Sequence, residues 1–248
     1  MSKPVRVLVT GSSGRVGRAA VAELLRRGHI VRGFDLTPTR GLGDCVIGTL
    51  ADRAALDRAM ENVECVIHLA ATPDDDDFLA SLLPNNITGL FHTMEAARCA
   101  GVRRMVLASS GQVNWWQQFA GPLPIRPEDP VSPKAWYAAT KMFMESIGRT
   151  FVEMHGMSVI VARLGWCPRT PEQVAEIAAS EHFRDVYFSP GDVGRFFACC
   201  VEAPETVRHA TVYGVSRALV QPRFDLSSAE KLLGYVPQES WPTGSMDF

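Results

Sequence analysis

This sequence has no Cys-x-x-Cys pair, no surplus of one charge sign and no apolar run long enough to cross a bilayer. Each absence removes a class of protein. The six cysteines, Cys45, Cys65, Cys99, Cys167, Cys199 and Cys200, are scattered through apolar segments. That pattern reads as reduced, mostly buried thiols of a cytoplasmic protein, not as a disulfide framework or a zinc site. With 25 basic against 27 acidic residues, the formal charge is −2, so no nucleic-acid partner held by counterion release is expected. The first thirty residues lack the apolar segment and small-residue cleavage site of a secretory signal, and no membrane partner is expected. No linker, internal repeat or low-complexity stretch stands out.

What the chain does have is apolar residues, 46% of 248, enough for a buried core. They fall in a strand–helix rhythm. "VRVLV" reads as a strand, then apolar residues at helical spacing run from Arg15 to Arg27, closed by Gly28. "HIVRGFD" and "DCVIG" read as strands two and three, and Asp52 as the N-cap of the next helix. "VECVIHLAA", "RRMVLASS" and "SVIVARL" follow as strands, separated by helices over 78–100, broken or bent around Pro84, and over 134–155. Strands that are apolar throughout belong in a parallel sheet covered on both faces, so the fold class is α/β, a doubly wound Rossmann sheet. After Gly165 the reading is a helix over 172–180, a strand-like "DVYFS", a helix through "VGRFFACCVEA", a strand "ATVYGVS" and a last helix opened by a capping box at Ser227 and Glu230. Residues 1–164 are expected to form the dinucleotide-binding domain, and 165–248 a small substrate-side lobe integrated with it.

The stretch "VTGSSGRVGRAA" places Gly11, Gly14 and Gly17 between the first strand and the first helix. There a tight turn lets backbone amides and a helix N-terminus approach a pyrophosphate. The same glycines would also serve close packing alone, but Asp35 ends the second strand, where a carboxylate accepts both ribose hydroxyls of an adenosine. That carboxylate repels a 2′-phosphate, which favours NAD over NADP; Arg40, close by in sequence, tempers the preference. "WYAATK" sets Tyr137 and Lys141 on one helix face, where an ammonium lowers a phenol's pKa towards the working range. Ser109 and Ser110 end the fifth strand and offer a hydroxyl to a substrate oxygen. "DDDD" at 74–77 reads as solvated acids favoured at a helix N-terminus and not as a metal site.

In order along the chain, "TGSSGRVG", Asp35, "HLAA", "NNITGL", "ASSGQV" and "YAATK" resemble the extended short-chain dehydrogenases/reductases, the NAD-dependent epimerase/dehydratase family. The resemblance implies Tyr137 as acid/base, Lys141 bonded to the nicotinamide ribose, and Ser110 orienting the substrate. It implies NAD contacts from Gly11, Ser13, Gly14, Arg15, Val16 and Gly17, from Asp35 and Leu36, from Leu50, and from Leu69, Ala70 and Ala71. Asn86, counted with the cofactor-binding residues, would support the fourth and fifth strands, and His68 would be a packed strand residue. Substrate contacts would come from Thr72, Ser110, Gln112, Trp166 and Arg169. The two long helices imply a homodimer.

Within the family the chain is most similar to uronate dehydrogenases, through "PNNITGLFHTMEAARCAGVRRMVLASS", "ARLGWCP", "VYGVS" and "AEKLLGYVP". It departs from them where the substrate binds. Gly111-Gln112 stands in place of Asn-His, Trp166 in place of a serine, and the helix after it carries no arginine, leaving Arg169 just before it. Thr49 replaces an acid that bonds adenine in relatives. Trp115 and Trp116 would either stack on a sugar or fill a core. The implied activity is a hydride transfer between nicotinamide and a sugar, sugar acid or polyol. The alternatives are a nucleotide-sugar epimerase or dehydratase with tightly held NAD, and a non-catalytic NAD-binding protein.

Overall fold

The computed structural model describes residues 3–247. Seven strands, β1 (Arg6–Thr10), β2 (Ile30–Asp35), β3 (Cys45–Ile47), β4 (Cys65–His68), β5 (Arg104–Ser110), β6 (Ser158–Leu164) and β7 (His209–Gly214), make one sheet. Their order is β3-β2-β1-β4-β5-β6-β7, and every neighbouring pair is parallel. The sheet grows outward from β1 to β3, then restarts beside β1 and grows the other way. Open α/β sheets bind ligands outside the strand C-termini at such a reversal.

Side chains alternate between the faces of a strand, and β1 shows the consequence. Val7 and Val9 pack into one core and Leu8 into another. Helices α1 (Arg15–Arg26), α2 (Arg53–Met60), α3 (Gly89–Cys99), α4 (Gln117–Ala120), α5 (Trp136–His155), α6 (Pro171–Ala179), α7 (Glu181–Asp185), α8 (Pro190–Glu202) and α9 (Ser227–Leu233) complete the chain. The first core holds Leu24 of α1, Phe196 and Phe197 of α8 and Leu233 of α9; the second holds Leu56 of α2, Met94 of α3 and Met144 and Phe151 of α5. β7 and α8 lie beyond Gly165 in sequence, yet they share the sheet and the first core with β1. The expected cap and stop are in place: Asp52 accepts from the Ala55 amide at 2.9 Å, and Gly28 follows α1 with φ +85°.

Four expectations need correction. The helix over 78–100 breaks into two segments, as Pro84 allowed, but the first is not α-helical, because Pro84 has no amide proton to donate. Phe78–Thr88 winds as a π-helix, with Leu82 bonding back to Asp77 and Gly89 to Pro84, and only Gly89–Cys99 is α-helical. "DVYFS" forms no strand: Asp185 closes α7, and Tyr187 meets Trp166 in a single bridge. At α9 the capping box does not form, since Asp225 two residues upstream takes the Ser227 amide at 2.8 Å instead. The thiols are all unpaired, but only Cys65 and Cys200 are buried, and Cys99 is exposed.

One buried junction ties β1 to β4 where the sheet reverses. The Thr10 hydroxyl accepts from the Leu69 and Ala70 amides at 3.2 and 3.3 Å. Its proton is left for the Nδ1 of buried His68, 2.9 Å away. Burial, reinforced by the Lys141 ammonium, lowers the His68 pKa from 6.5 to about 3. Below pH 6.5 the unfolded chain therefore binds a proton that the folded chain refuses, so stability falls as pH drops from 6.5 towards 3 and is fully present above that window. At most the slope from this residue is about 1.4 kcal/mol per pH unit. Urea midpoints measured from about pH 4 to about pH 7.5 should show this loss, and His68→Gln should flatten it.

Candidate active site

A cavity of about 780 Å³ opens along the strand ends, within the size range of cofactor and ligand sites. Its floor is the turn after β1. Gly11 has φ +70°, and a β-carbon there would lie 2.7 Å from the Ala70 amide nitrogen. A β-carbon on Gly17 would lie 2.2 Å from the Gly11 carbonyl. Only glycine lets the turn and the start of α1 come this close to β4 and to each other. Gly14, Val16, Leu36, Leu50, Leu69 and Ala71 line the same end of the cavity.

Asp35 stands at the tip of β2. Its Oδ2 accepts from the Ser13 amide at 2.9 Å and its Oδ1 from the Leu36 amide at 2.7 Å. Each carboxylate oxygen keeps a second lone pair. Ser13 thus acts by orienting Asp35 and does not line the cavity, and its own hydroxyl accepts from Thr37. Arg15 lines the cavity, but its guanidinium is engaged by the Pro168, Gly244 and Ser245 carbonyls. It pins α1 to the C-terminal segment.

Ser110, Tyr137 and Lys141 converge at the centre. Ser109 faces away, its hydroxyl donating to Glu145 at 2.6 Å, which leaves Ser110 to the cavity, its hydroxyl accepting from the Gln112 amide at 3.1 Å. A side chain at Gly111 would meet the Phe224 ring at 2.7 Å, so the position after Ser110 has no room for one. The Lys141 ammonium donates to the Ala108 carbonyl at 2.8 Å and lies 5.4 Å from the Tyr137 ring centroid. Burial lowers the Lys141 pKa to about 8. For Tyr137, burial and then the Asp74 carboxylate push the phenol up, while Arg169 and the Ser110 hydrogen bond pull it down. The depression expected from Lys141 is not among these influences, and desolvation dominates.

The substrate end is walled by Gln112, Trp115, Trp166, Arg169, Gln173 and Phe183. Trp166 packs edge-on against Phe183 at 4.9 Å. Trp115 faces the cavity with the Lys134 ammonium 4.3 Å from its centroid, whereas Trp116 is 58% exposed and away from it. Besides Ser13, two expected contacts, Thr72 and Asn86, do not reach the cavity. Thr72 is held by its amide on Asn86 at 2.8 Å and its hydroxyl on Asn85 at 2.9 Å. Asn86 itself braces Thr72 and, at 3.2 Å, Thr140 of α5. The strands that it was expected to support are not among these partners.

The acidic run is not simply solvated. Asp77 caps the π-helix through the Ala80 amide at 2.7 Å, but Asp74 pairs with Arg169 and Asp75 accepts from the Tyr137 amide at 2.8 Å. Nothing in sequence pairs Asp75 with a residue 62 positions away. Gln173 and Glu176 also face the cavity; their i, i+3 spacing on α6 was the available signal. Among the described residues, no cluster of His, Cys, Asp and Glu could hold a metal ion, and no helix is long and apolar enough to cross a membrane.

The model of the NAD-dependent epimerase/dehydratase family matches residues 7–166. The chain belongs to this family. Similar to this member is an L-arabinose 1-dehydrogenase (NAD(P)(+)) of Haloferax volcanii, 32% identical over 255 residues, covering 96% of this chain and 98% of that one. A uronate dehydrogenase of Pseudomonas syringae pv. tomato is 28% identical over 216 residues, 85% of this chain and 74% of that one. Among solved structures, a mutant uronate dehydrogenase from Agrobacterium tumefaciens complexed with NAD superposes with a TM-score of 0.77 at 27% identity, covering 96% and 86%. The cofactor of this NAD-dependent family fits the residues present: a backbone cradle at Gly11–Gly17 that a β-carbon would fill, and a carboxylate with lone pairs to spare.

Asp75 supplies α5 with the side-chain cap that Ala135, at its N-terminus, does not. Asp75→Ala should therefore cost about 1 kcal/mol in a urea titration. It should also lower kcat, and Asp75→Asn should restore most of both.

Proposed function

We propose that the protein is an NAD-dependent dehydrogenase that oxidises a carbinol carbon of a sugar, sugar acid or polyol, the anomeric carbon in a ring sugar, giving a lactone. The carrying observation is the convergence of Ser110, Tyr137 and Lys141 in one cavity with the glycine turn and Asp35. The turn from Gly11 to Gly17, with the start of α1, would hold the pyrophosphate, Asp35 the adenosine ribose, and Lys141 the nicotinamide ribose. Bound NAD supplies the hydride acceptor. Ser110 orients the substrate hydroxyl, and the Tyr137 oxygen takes its proton as the carbonyl forms; because burial favours the neutral phenol, this step draws on a minority ionised form. The Lys141 ammonium, held in place by the Ala108 carbonyl, keeps positive charge against the Tyr137 ring and favours the anion.

The relatives named for arabinose and uronate support a monosaccharide over a nucleotide sugar. We also propose a cytoplasmic homo-oligomer. Phe91, Phe143 and Met154, exposed along α3 and α5, are the surface for that contact.

Two measurements test the reading. Tyr137→Phe should reduce turnover by about 100-fold or more while NADH still binds in a fluorescence titration; unchanged turnover would refute the assignment. Asp35→Ser removes the charge that opposes a 2′-phosphate, and the kcat/KM ratio of NADP to NAD should rise by about tenfold.

A further inference from the structure

The cations at the substrate end decide whether an acidic sugar has anything to bind. Arg169 precedes α6, the helix that carries no arginine of its own. Its guanidinium is paired with Asp74, which comes from the loop after β4 on the other side of the cavity mouth. Asp74 takes a left-handed backbone, φ +60°, a conformation that Asp adopts more readily than most residues. The Arg169 amide is fixed as well, donating to Gln173 at 2.7 Å. On the same wall Glu176 adds a second negative charge. Lys134 rests its ammonium on the Trp115 face, 4.3 Å from the ring centroid.

From this arrangement we propose that Asp74 is a specificity-determining residue: it occupies Arg169 from within the chain, and the site takes neutral aldoses in preference to their uronic acids. The inference rests on the dehydrogenase reading above and narrows its substrate class. A uronate carboxylate has to displace Asp74 from Arg169 and then lie beside the displaced charge. A neutral hydroxymethyl group at the same carbon meets neither obstacle. The Asp74–Arg169 pair is partly exposed, with side-chain exposures of 49% and 39%, so competition alone is modest. Competition and like-charge repulsion together amount to at least about fivefold.

Galactose and galacturonate differ only in the group at the sixth carbon, and NADH formation from each gives the test. Wild-type protein should show the higher kcat/KM on galactose, and a preference for galacturonate would overturn the proposal. Asp74→Asn should move the acid-to-neutral ratio towards galacturonate by at least about fivefold, mainly in KM. Adding Arg169→Ala should abolish that gain. An unchanged ratio in Asp74→Asn, or a gain that survives loss of Arg169, overturns the proposal. Loss of wild-type galacturonate turnover on Lys134→Met would place the carboxylate at Lys134 and overturn it too. Calorimetric titration of galacturonate into the NADH-bound protein reads the same question without turnover. Tighter binding to Asp74→Asn supports the proposal, and equal affinity sinks it. Absence of turnover on any sugar, with that tighter binding retained, would remove the dehydrogenase reading and leave the role of Asp74 standing.

Discussion

The Gly11 backbone lies so close to Leu69 and Ala70 that a β-carbon on it would come within 2.9 Å of one and 2.7 Å of the other. That contact is possible because Thr10, the residue before the turn, spends its hydroxyl lone pairs on the Leu69 and Ala70 amides and its proton on His68. The junction fixes the ends of β1 and β4 where the sheet reverses direction. From it the chain diverges to α1 on one side and to the acidic loop on the other, leaving the crevice between them. Asp35, one strand away, closes the geometry by holding the Ser13 amide within the turn. Without this close approach the amides at the start of α1 would face a different space.

A second polar junction builds the catalytic half. Buried Arg163 on β6 donates to Glu145 of α5 at 2.8 and 2.9 Å, to Asn114 at 2.9 Å and to Tyr213 at 3.2 Å. Glu145 also takes the Ser109 hydroxyl. A buried ion pair with every donor satisfied sets position more than it adds stability. Here it locks β5, β6 and α5 together, which directs Ser109 inward and leaves Ser110 to the cavity. Asn114 extends the same network into the segment that carries Trp115.

Much of this was legible in the sequence. The apolar strands, the glycine spacing and the Tyr137–Lys141 interval are local patterns, each carried by a few neighbouring residues. The Phe78–Ala100 segment was half legible: Pro84 announced a break, but not that the chain would rewind with wider turns. The capping box at Ser227 failed because Asp225 competes for the same amide from two residues upstream. The acidic run misled further. Four consecutive carboxylates look solvated one by one, and their separate partners, Ala80, Tyr137 and Arg169, are as far as 95 residues away.

By itself the sequence determined the doubly wound sheet, the glycine turn and the placing of Tyr137 and Lys141 on one helix face, because hydrophobic period and glycine placement act within a few residues. Only the tertiary structure decided which serine is left to the cavity, how the charges at the mouth are paired, and why Gly111 has no side chain. Those outcomes depend on groups brought together from distant loops, where burial and charge are set by neighbours that no local pattern encodes.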